Sequence, residues 1–413
     1  MQSLPTFTST PALIASCVAV ALAALPARAQ APVPPPAQAA APAAAQPPAN
    51  APSGAPDVAP GSKAQFLAFL NAPLKGDPLR HPPKLSLSVG GGPTVRAVMD
   101  TGSTGVVVAA RLIPDLAKLP VIGRGELTYG SSGRIMRGTW VRVPLTLAGA
   151  GGTQVTTRPL PVLAVERVDC LPTARRCKPV ARPTSIAMLG VGFARQPAAK
   201  AAAQASASTT PQPASVSAAP DRDPALEPGS RARNPFLSLS AMGTSAAPGA
   251  MRQAYVVTRR GVWLGLTPEL LEGFRFVKLQ TVPATGDWGA LPACISVDRR
   301  SPPACGTALL DTGLTSMFLT LPNGQTEGRT TSRGKVPLTL AHGTPLAVTF
   351  GGPGSPLRYG FDVGEPNDPV TPSIIHLTNR PDRVFVNTGV RILNAFDYLY
   401  DAQAGFVGLR PVP

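Results

Sequence analysis

The chain has 413 residues, of which 44 % are apolar, and it contains 50 prolines and 40 glycines. So much proline and glycine argues against a helical bundle and suits short strands joined by many turns, so we predict an all-β protein. The formal charge of +16 suggests nucleic-acid binding, but the basic residues are scattered and aromatic residues make up only 5 %. We therefore expect no nucleic acid among its partners.

Residues 1–29 have the features of a secretory signal peptide. Residues 13–25 form an apolar run shorter than the ~20 residues that a membrane span needs, and Ala-Arg-Ala at 27–29 is typical of a cleavage site. An Ile-Ala-Ser-Cys tetrapeptide ending at Cys17 resembles a lipoprotein attachment site instead. Because the apolar run continues well past Cys17, we predict ordinary cleavage, a periplasmic or secreted product, and no transmembrane segment in the mature chain.

Composition divides the rest of the chain into four segments. Residues 30–63 are nearly all alanine and proline, and residues 196–233 are rich in alanine, serine and proline. Such segments bury too little apolar surface to offset the entropy of ordering them, so we predict a disordered linker and a disordered insertion. Residues 64–195 and 234–413 contain short apolar runs separated by turns, and we predict one β lobe in each.

Two Asp-Thr-Gly tripeptides, at residues 100–102 and 311–313, are the motifs that indicate function most clearly. Each is a tight glycine turn between apolar runs that are typical of buried strands. A buried carboxylate is costly unless it is hydrogen-bonded or paired. Two such carboxylates in matching contexts predict two related halves that bring Asp100 and Asp311 together as a catalytic dyad.

The chemistry of such a dyad needs no metal and no cofactor, and we expect neither. Two carboxyls within hydrogen-bonding reach share one proton over a broad pH range. The ionised member can take a proton from water while the protonated member donates to the carbonyl oxygen under attack. Gly102 and Gly313 allow backbone N–H groups to approach the carboxylates, and we expect Thr101 and Thr312 to hydrogen-bond across the junction.

The cysteines indicate an oxidising compartment. Once Cys17 is removed by cleavage, four remain, and of the three possible pairings we predict Cys170–Cys177 and Cys294–Cys305, because the members of each pair are close in sequence. A zinc site would need tighter Cys-x-x-Cys spacing or a nearby histidine. None of the three histidines lies near a cysteine, so we predict no bound metal.

Over most of residues 85–413 these motifs resemble the pepsin-like aspartic proteases. The similar segments are residues 100–103 and 311–313 at the family's two catalytic loops, 127–130 at its flap hairpin, 188–190 at its first psi loop and 396–409 at its closing strands. The Cys294–Cys305 pair ahead of the second loop also has a counterpart in many members. The chain is thus similar to an exported bacterial member of this family.

The resemblance implies a bilobal pepsin-like fold, with a cleft between two β lobes, and aspartic endopeptidase activity on a polypeptide substrate. The dyad would be Asp100 and Asp311, supported by Thr101, Gly102, Ser103, Thr312 and Gly313. Tyr129 and Gly130 would belong to the flap that closes over the substrate. Because one chain carries both loops, we expect a monomer.

Several positions depart from the family pattern. Leu314 stands where the family usually carries threonine or serine, so we expect Asp311 to lose a hydroxyl donor, while the first loop keeps Ser103. Losing that donor should raise the pKa of Asp311 and make the activity optimum less acidic. Val107 replaces the tryptophan that usually braces the flap tyrosine, and Asn-Thr-Gly at 387–389 keeps only the glycine of the second psi-loop motif.

These departures support an alternative of a different class, a pepsin-like envelope or binding protein with weak or no catalysis. Ser103 as a nucleophile is a poorer interpretation, because no Gly-x-Ser-x-Gly elbow surrounds it and no histidine is placed by sequence to activate it.

Overall fold

The computed structural model describes residues 54–129, 132–172, 174, 177–193, 230–242, 251–283, 286–331 and 338–412. All of them belong to one compact unit, Ala44–Pro413. The predicted signal peptide, residues 30–53 of the predicted linker, Gly130 and residues 196–229 of the predicted insertion lie outside the described residues. Residues 230–233, at the end of that predicted insertion, are described and include a short helix.

Almost all of the regular secondary structure in the described chain is β-strand. In the first half these are β1 (Ala64–Ala68), β2 (Lys84–Val89), β3 (Val95–Asp100), β4 (Thr104–Ala109), β5 (Val121–Tyr129), β6 (Arg134–Val143), β7 (Leu145–Ala148), β8 (Gln154–Thr156), β9 (Leu160–Cys170), β10 (Val180–Ala181) and β11 (Ala187–Val191). In the second half they are β12 (Ala254–Val257), β13 (Gly261–Gly265), β14 (Arg275–Lys278), β15 (Leu291–Val297), β16 (Ala304–Leu309), β17 (Met317–Leu321), β18 (Thr330–Thr331), β19 (Thr339–Leu340), β20 (Pro345–Phe350), β21 (Arg358–Asp362), β22 (Ile375–Asn379), β23 (Phe385–Asn387), β24 (Phe396–Asp401) and β25 (Phe406–Pro411).

The helices are short 3-10 turns. They are Ala110–Leu112, Leu116–Lys118, Arg231–Arg233, Pro235–Leu237, Ser240–Met242, Glu269–Leu271, Asn323–Gln325 and Val390–Asn394. Within the described parts of the chain, no helix has the length and apolar character that crossing a membrane would require.

The strands form three sheets. The first-lobe sheet has the order β5-β6-β9-β4-β11-β3-β2-β7-β8, with β10 paired to β9, and the second-lobe sheet has the order β18-β19-β22-β17-β23-β16-β15-β20-β21. A third sheet, β1-β13-β12-β24-β25-β14, combines a strand that precedes the first-lobe sheet with strands from the second half of the chain. The all-β, bilobal architecture that the sequence predicts is confirmed.

The two lobe sheets share one local arrangement. In the first, β11 pairs parallel with β3 and antiparallel with β4. In the second, β23 pairs parallel with β16 and antiparallel with β17. In each lobe the segment between the two outer strands of this trio carries an Asp-Thr-Gly turn, so the same three-strand frame presents both turns.

Burial explains why these segments are strands. β2 alternates buried leucine and valine with half-buried lysine and serine, as expected for a strand with one face on the core. β4 is buried along its whole length, which explains its continuous apolar run. Both strands flank β3 or its turn, so the core holds the first aspartate-bearing turn in place from two sides.

Candidate active site

The two Asp-Thr-Gly turns meet in one cleft. Asp100 is the last residue of β3, and Asp311 follows β16 by two residues. Each aspartate is only 6 % exposed, and both line the same cleft of about 670 Å³, whose walls come from both lobes. The structure therefore brings the two sequence-predicted carboxyls together.

Thr101 and Thr312 join the two turns through reciprocal hydrogen bonds. The backbone N–H of Thr101 donates to Oγ1 of Thr312 at 3.1 Å, and the N–H of Thr312 donates to Oγ1 of Thr101 at 3.0 Å. Each hydroxyl then donates to a carbonyl of the opposite loop, Thr101 to Leu310 at 2.5 Å and Thr312 to Met99 at 2.8 Å. Because all four groups are buried and satisfied, the turns are fixed in register with each other.

The glycine of each turn lies directly against the opposite carboxyl. A Cβ atom at Gly102 would overlap the carboxyl group of Asp311, and a Cβ atom at Gly313 would lie 2.6 Å from Oδ1 of Asp100. Any side chain at these positions would push the two carboxyls apart. Glycine is required here for close approach, because neither position has a positive φ.

The Asp100 carboxyl accepts two hydrogen bonds from its own turn. The Gly102 N–H donates to Oδ1 at 2.7 Å, and the Ser103 hydroxyl donates to Oδ2 at 2.6 Å. These two donors, one to each oxygen, fix the rotation of the carboxyl.

The Asp311 carboxyl is held in the same way but by a donor that the sequence analysis missed. The Gly313 N–H donates to Oδ1 at 2.8 Å, and Nδ2 of Asn387 donates to Oδ2 at 2.5 Å. Asn387 is itself oriented, because its Oδ1 accepts the Gly389 N–H at 3.1 Å. Leu314 lines the cleft without a hydroxyl, as predicted, but Asp311 does not go without a side-chain donor.

The sequence does carry a signal for Asn387, namely the departure from the family motif at residues 387–389. β23 runs parallel to β16, and Asn387 pairs with Leu309, two residues before Asp311. A polar residue at the end of a buried strand in that register points toward the second turn. Asn387 therefore supplies the side-chain donor that the absence of a hydroxyl at residue 314 removes.

Burial is the main cause of an unusual pKa at Asp311. Desolvation, followed by the negative charge of Asp100 and a side-chain hydrogen bond with it, raises the pKa of Asp311 to about 7, although the Asn387 and Gly313 donors oppose the shift. The sequence analysis also predicts a raised pKa for Asp311, but it attributes the shift to a missing donor, whereas the main cause is burial. Asp311 therefore keeps a proton at acidic pH, which is the state an acid catalyst needs.

A β-hairpin forms part of the cleft wall where the sequence predicts the flap. β5 and β6 pair antiparallel up to the pair Tyr129–Arg134, and Gly130, which the sequence predicts as part of the flap, lies outside the described residues. Tyr129 lines the cleft and packs against a hydrophobic cluster that includes Val107 and Trp140. Trp140 thus contributes an aromatic ring to the cluster in which Val107 lacks one.

Arg233 is a second cleft residue that the sequence analysis missed, because residues 196–233 were assigned to a disordered insertion. It ends the 3-10 helix Arg231–Arg233, and its guanidinium lies 4.3 Å from the ring centre of Trp140. It lines the same cleft as the two aspartates. Composition alone gave no signal for it, since the arginine follows a long stretch of alanine, serine and proline.

Two disulfides are present, with the pairs that the sequence predicts. Cys170 at the end of β9 is bonded to Cys177. Cys294 of β15 is bonded to Cys305 of β16, its neighbour across the strand pair, in the strand that leads to Asp311. Among the described side chains, no group of three or more potential metal ligands occurs together.

Paired turns on matching strand frames, with the cleft between them, decide the architecture. The fold is pepsin-like. Among solved structures the chain is similar to basic 7S globulin from soybean, at 12 % identity and a TM-score of 0.48, covering 84 % of this chain and 95 % of that one. It is also similar to an aspartic proteinase from Irpex lacteus, at 14 % identity and a TM-score of 0.46, covering 85 % and 98 %.

No protein-family model matches the chain, and no curated protein sequence matches it. Similarity to solved structures at such identities concerns the fold alone and carries no information on activity.

Proposed function

We propose that this protein is an aspartic endopeptidase that hydrolyses peptide bonds with water activated between Asp100 and Asp311. The observation that carries the proposal is the mutual approach of the two carboxyls, each packed against the glycine of the opposite turn. A structural role alone does not explain two buried acids placed face to face at the floor of an open cleft.

The raised pKa of Asp311 assigns the two roles. Asp100 acts as the base and removes a proton from a water molecule, whose oxygen attacks the carbonyl carbon of the scissile peptide bond. Asp311, carrying its proton, donates it to the carbonyl oxygen, which gives a neutral tetrahedral diol. Collapse of the diol breaks the C–N bond as a proton from Asp100 moves to the departing nitrogen, and Asp311 recovers its own proton.

The cleft suits an extended polypeptide. The β5–β6 hairpin brings Tyr129 to the cleft that the two carboxyls line, and an extended strand bound along it would gain backbone hydrogen bonds while side chains enter apolar pockets. Met136, Met188 and Phe318 are among the apolar side chains lining the cleft. The supporting roles of Thr101, Ser103 and Thr312 follow from the hydrogen bonds that hold the two turns.

Export, ordinary cleavage after residue 29 and a monomeric state remain part of the proposal. The two disulfides support an oxidising compartment. Both catalytic turns come from one chain, so a second copy is not needed to complete the site.

A second candidate function is peptide binding without useful catalysis. It is favoured by the Asn387 contact, since Oδ2 of Asp311 accepts a close amide donor at 2.5 Å while Leu314 provides no hydroxyl. An amide so placed favours the ionised form of the Asp311 carboxyl and would slow the proton transfers that catalysis needs.

Casein digestion by the purified protein, compared with Asp100→Asn, separates the two functions. We expect the variant to lose at least about a thousandfold in rate, because the base is removed from a pair that acts as a unit. Asp298→Asn is the matched control, since Asp298 is paired with Arg329 away from the cleft and has a φ of 55° that asparagine tolerates. Equal digestion by all three proteins would eliminate the dyad, and no digestion by any would leave peptide binding.

A further inference from the structure

The charged residues that line the cleft are of one sign once the two aspartates are set aside. Among the described residues they are Arg134, Arg233 and Arg383. Arg134 and Arg383 are exposed at the rim, on the hairpin and on the second lobe. A cleft with cationic walls attracts anionic segments of a substrate.

Arg233 differs from the other two because it is only 2 % exposed. The ring of Trp140 covers one side of its guanidinium at 4.3 Å. On another side lies Gly105, where a Cβ atom would come within 2.9 Å of Nε. The first lobe thus leaves room for a guanidinium beside the first catalytic turn by having no side chain at residue 105.

Two of the guanidinium nitrogens are unsatisfied. Nε and Nη2 of Arg233 are buried, and neither has a hydrogen-bond partner among the described residues. Burial lowers the pKa of Arg233 to about 10, and the nearby Tyr129 opposes the shift. The side chain therefore remains a cation at neutral and acidic pH.

Burying an unpaired cation costs free energy, so we expect an anionic partner for this guanidinium. The dyad does not supply one, because neither Nε nor Nη2 is hydrogen-bonded to Asp100 or Asp311. A lysine or a methionine could pack on Trp140 without leaving two planar N–H groups unsatisfied. Guanidinium N–H groups with this fork geometry match a carboxylate.

We propose that Arg233 is a specificity residue, which binds the carboxylate of a glutamate or aspartate side chain in a polypeptide lying in the cleft. The inference rests on the proposed function for the nature of the ligand. It adds the substrate class: acidic polypeptide segments, with the acidic side chain directed toward Trp140 and Tyr129 and the rim arginines attracting the same segment.

Equilibrium binding to the full-length Asp100→Asn variant tests the inference without requiring catalysis. The probes are fluorescein-labelled decapeptides that differ only by glutamate or glutamine, with this residue moved through the central positions. At one position we expect the glutamate peptide to bind at least about tenfold more tightly at pH 6.5, since a charge-assisted pair is formed. The preference should fade near pH 4, where glutamate takes up a proton.

Adding Arg233→Met to this variant should abolish the preference and leave the affinity for the glutamine peptide within about twofold. Arg358→Gln is the control, because it removes one exposed positive charge of β21 that does not line the cleft. Equal affinity for glutamate and glutamine peptides at every position would overturn the inference, even if Arg233→Met failed to fold. A preference that survives Arg233→Met would also overturn it.

The proposed function fails separately from this inference. Absence of casein digestion together with a retained, Arg233-dependent glutamate preference would remove the peptidase and keep the acidic-peptide site. Digestion that depends on Asp100 but shows no glutamate preference would keep the peptidase and remove the site.

Discussion

Asn387 donates to Oδ2 of Asp311 at 2.5 Å, just as Ser103 donates to Oδ2 of Asp100 at 2.6 Å. The two carboxyls thus have equivalent donors, one backbone amide and one side chain each. The side-chain donor is local in the first loop and comes from 76 residues away in the second. Near-symmetry of the site is therefore reached with different residues in the two halves.

Asn387→Ala should raise the pKa of Asp311 further, because the lost donor favours the ionised carboxyl. We expect the alkaline limb of the kcat/KM profile to move to higher pH. The free energy of unfolding should fall by about 1–3 kcal/mol, since a buried hydrogen bond is lost. Asn367→Ala, at an exposed asparagine, is the control, and identical pH profiles for both variants would contradict the assigned role.

Leu314→Ser should restore part of the side-chain hydrogen bonding to the Asp311 carboxyl that Asn387→Ala removes. Residue 314 follows Asp311 by three positions, the spacing at which Ser103 serves Asp100. In the double variant we expect the alkaline limb to return toward the wild-type position. A double variant that behaves as Asn387→Ala alone would show that residue 314 cannot present a hydroxyl to the carboxyl.

Gly102→Ala should lower activity by about a hundredfold or more while leaving a folded protein. The added methyl overlaps the Asp311 carboxyl and separates the two acids, and displacements of about 1 Å at reacting groups cost on the order of a hundredfold in rate. We expect a loss of about 1–3 kcal/mol in the free energy of unfolding from overpacking. Gly151→Ala, where a Cβ has open space, should change neither quantity.

Asp311 should make stability depend on pH in a defined direction. The folded protein holds its proton up to about pH 7, whereas an unfolded aspartate releases it near pH 3.9. The folded state thus binds more protons in this window, so this group's contribution is present below about pH 4 and is lost as pH rises to about 7. Urea unfolding of wild type and Asp311→Asn at pH 4, 5.5 and 7 should show wild type losing stability relative to the variant, and parallel curves would refute this.

Removing the Cys294–Cys305 disulfide should destabilise the second lobe. The bond joins β15 to β16 across a separation of 11 residues, and a closed loop of that length is worth about 3 kcal/mol in the chain-entropy description. Cys294→Ala with Cys305→Ala should lower the free energy of unfolding, measured by urea denaturation, by about that amount. A change below about 1 kcal/mol would mean that the strand pairing alone holds β16 in place.

Local patterns predicted much of this architecture. The two Asp-Thr-Gly turns, the Tyr129 hairpin and the alternating burial of β2 are all encoded within a few residues, where turn chemistry and side-chain period decide the outcome. The cysteine pairing can also be predicted from the sequence, because each disulfide closes a short loop. In such cases the sequence neighbours of a residue are also its main spatial neighbours.

Asn387 and Arg233 could not be assigned in this way. The role of Asn387 depends on the parallel pairing of β23 with β16, which no local pattern specifies. Arg233 depends on the space left by Gly105 and on the ring of Trp140, both distant in sequence. Polar contacts between remote segments are set by tertiary packing, and a motif search records them only as exceptions.

The third sheet has a consequence for how the molecule is made. Its order, β1-β13-β12-β24-β25-β14, places the last two strands between β12 and β14. A nascent chain that has not yet emerged beyond residue 395 would present β12 with an open edge and leave β14 unpaired, and such edges invite pairing with another copy. Completion of this sheet must await synthesis of residues 396–411, so the interval before β24 and β25 dock is when the polypeptide most needs protection from aggregation.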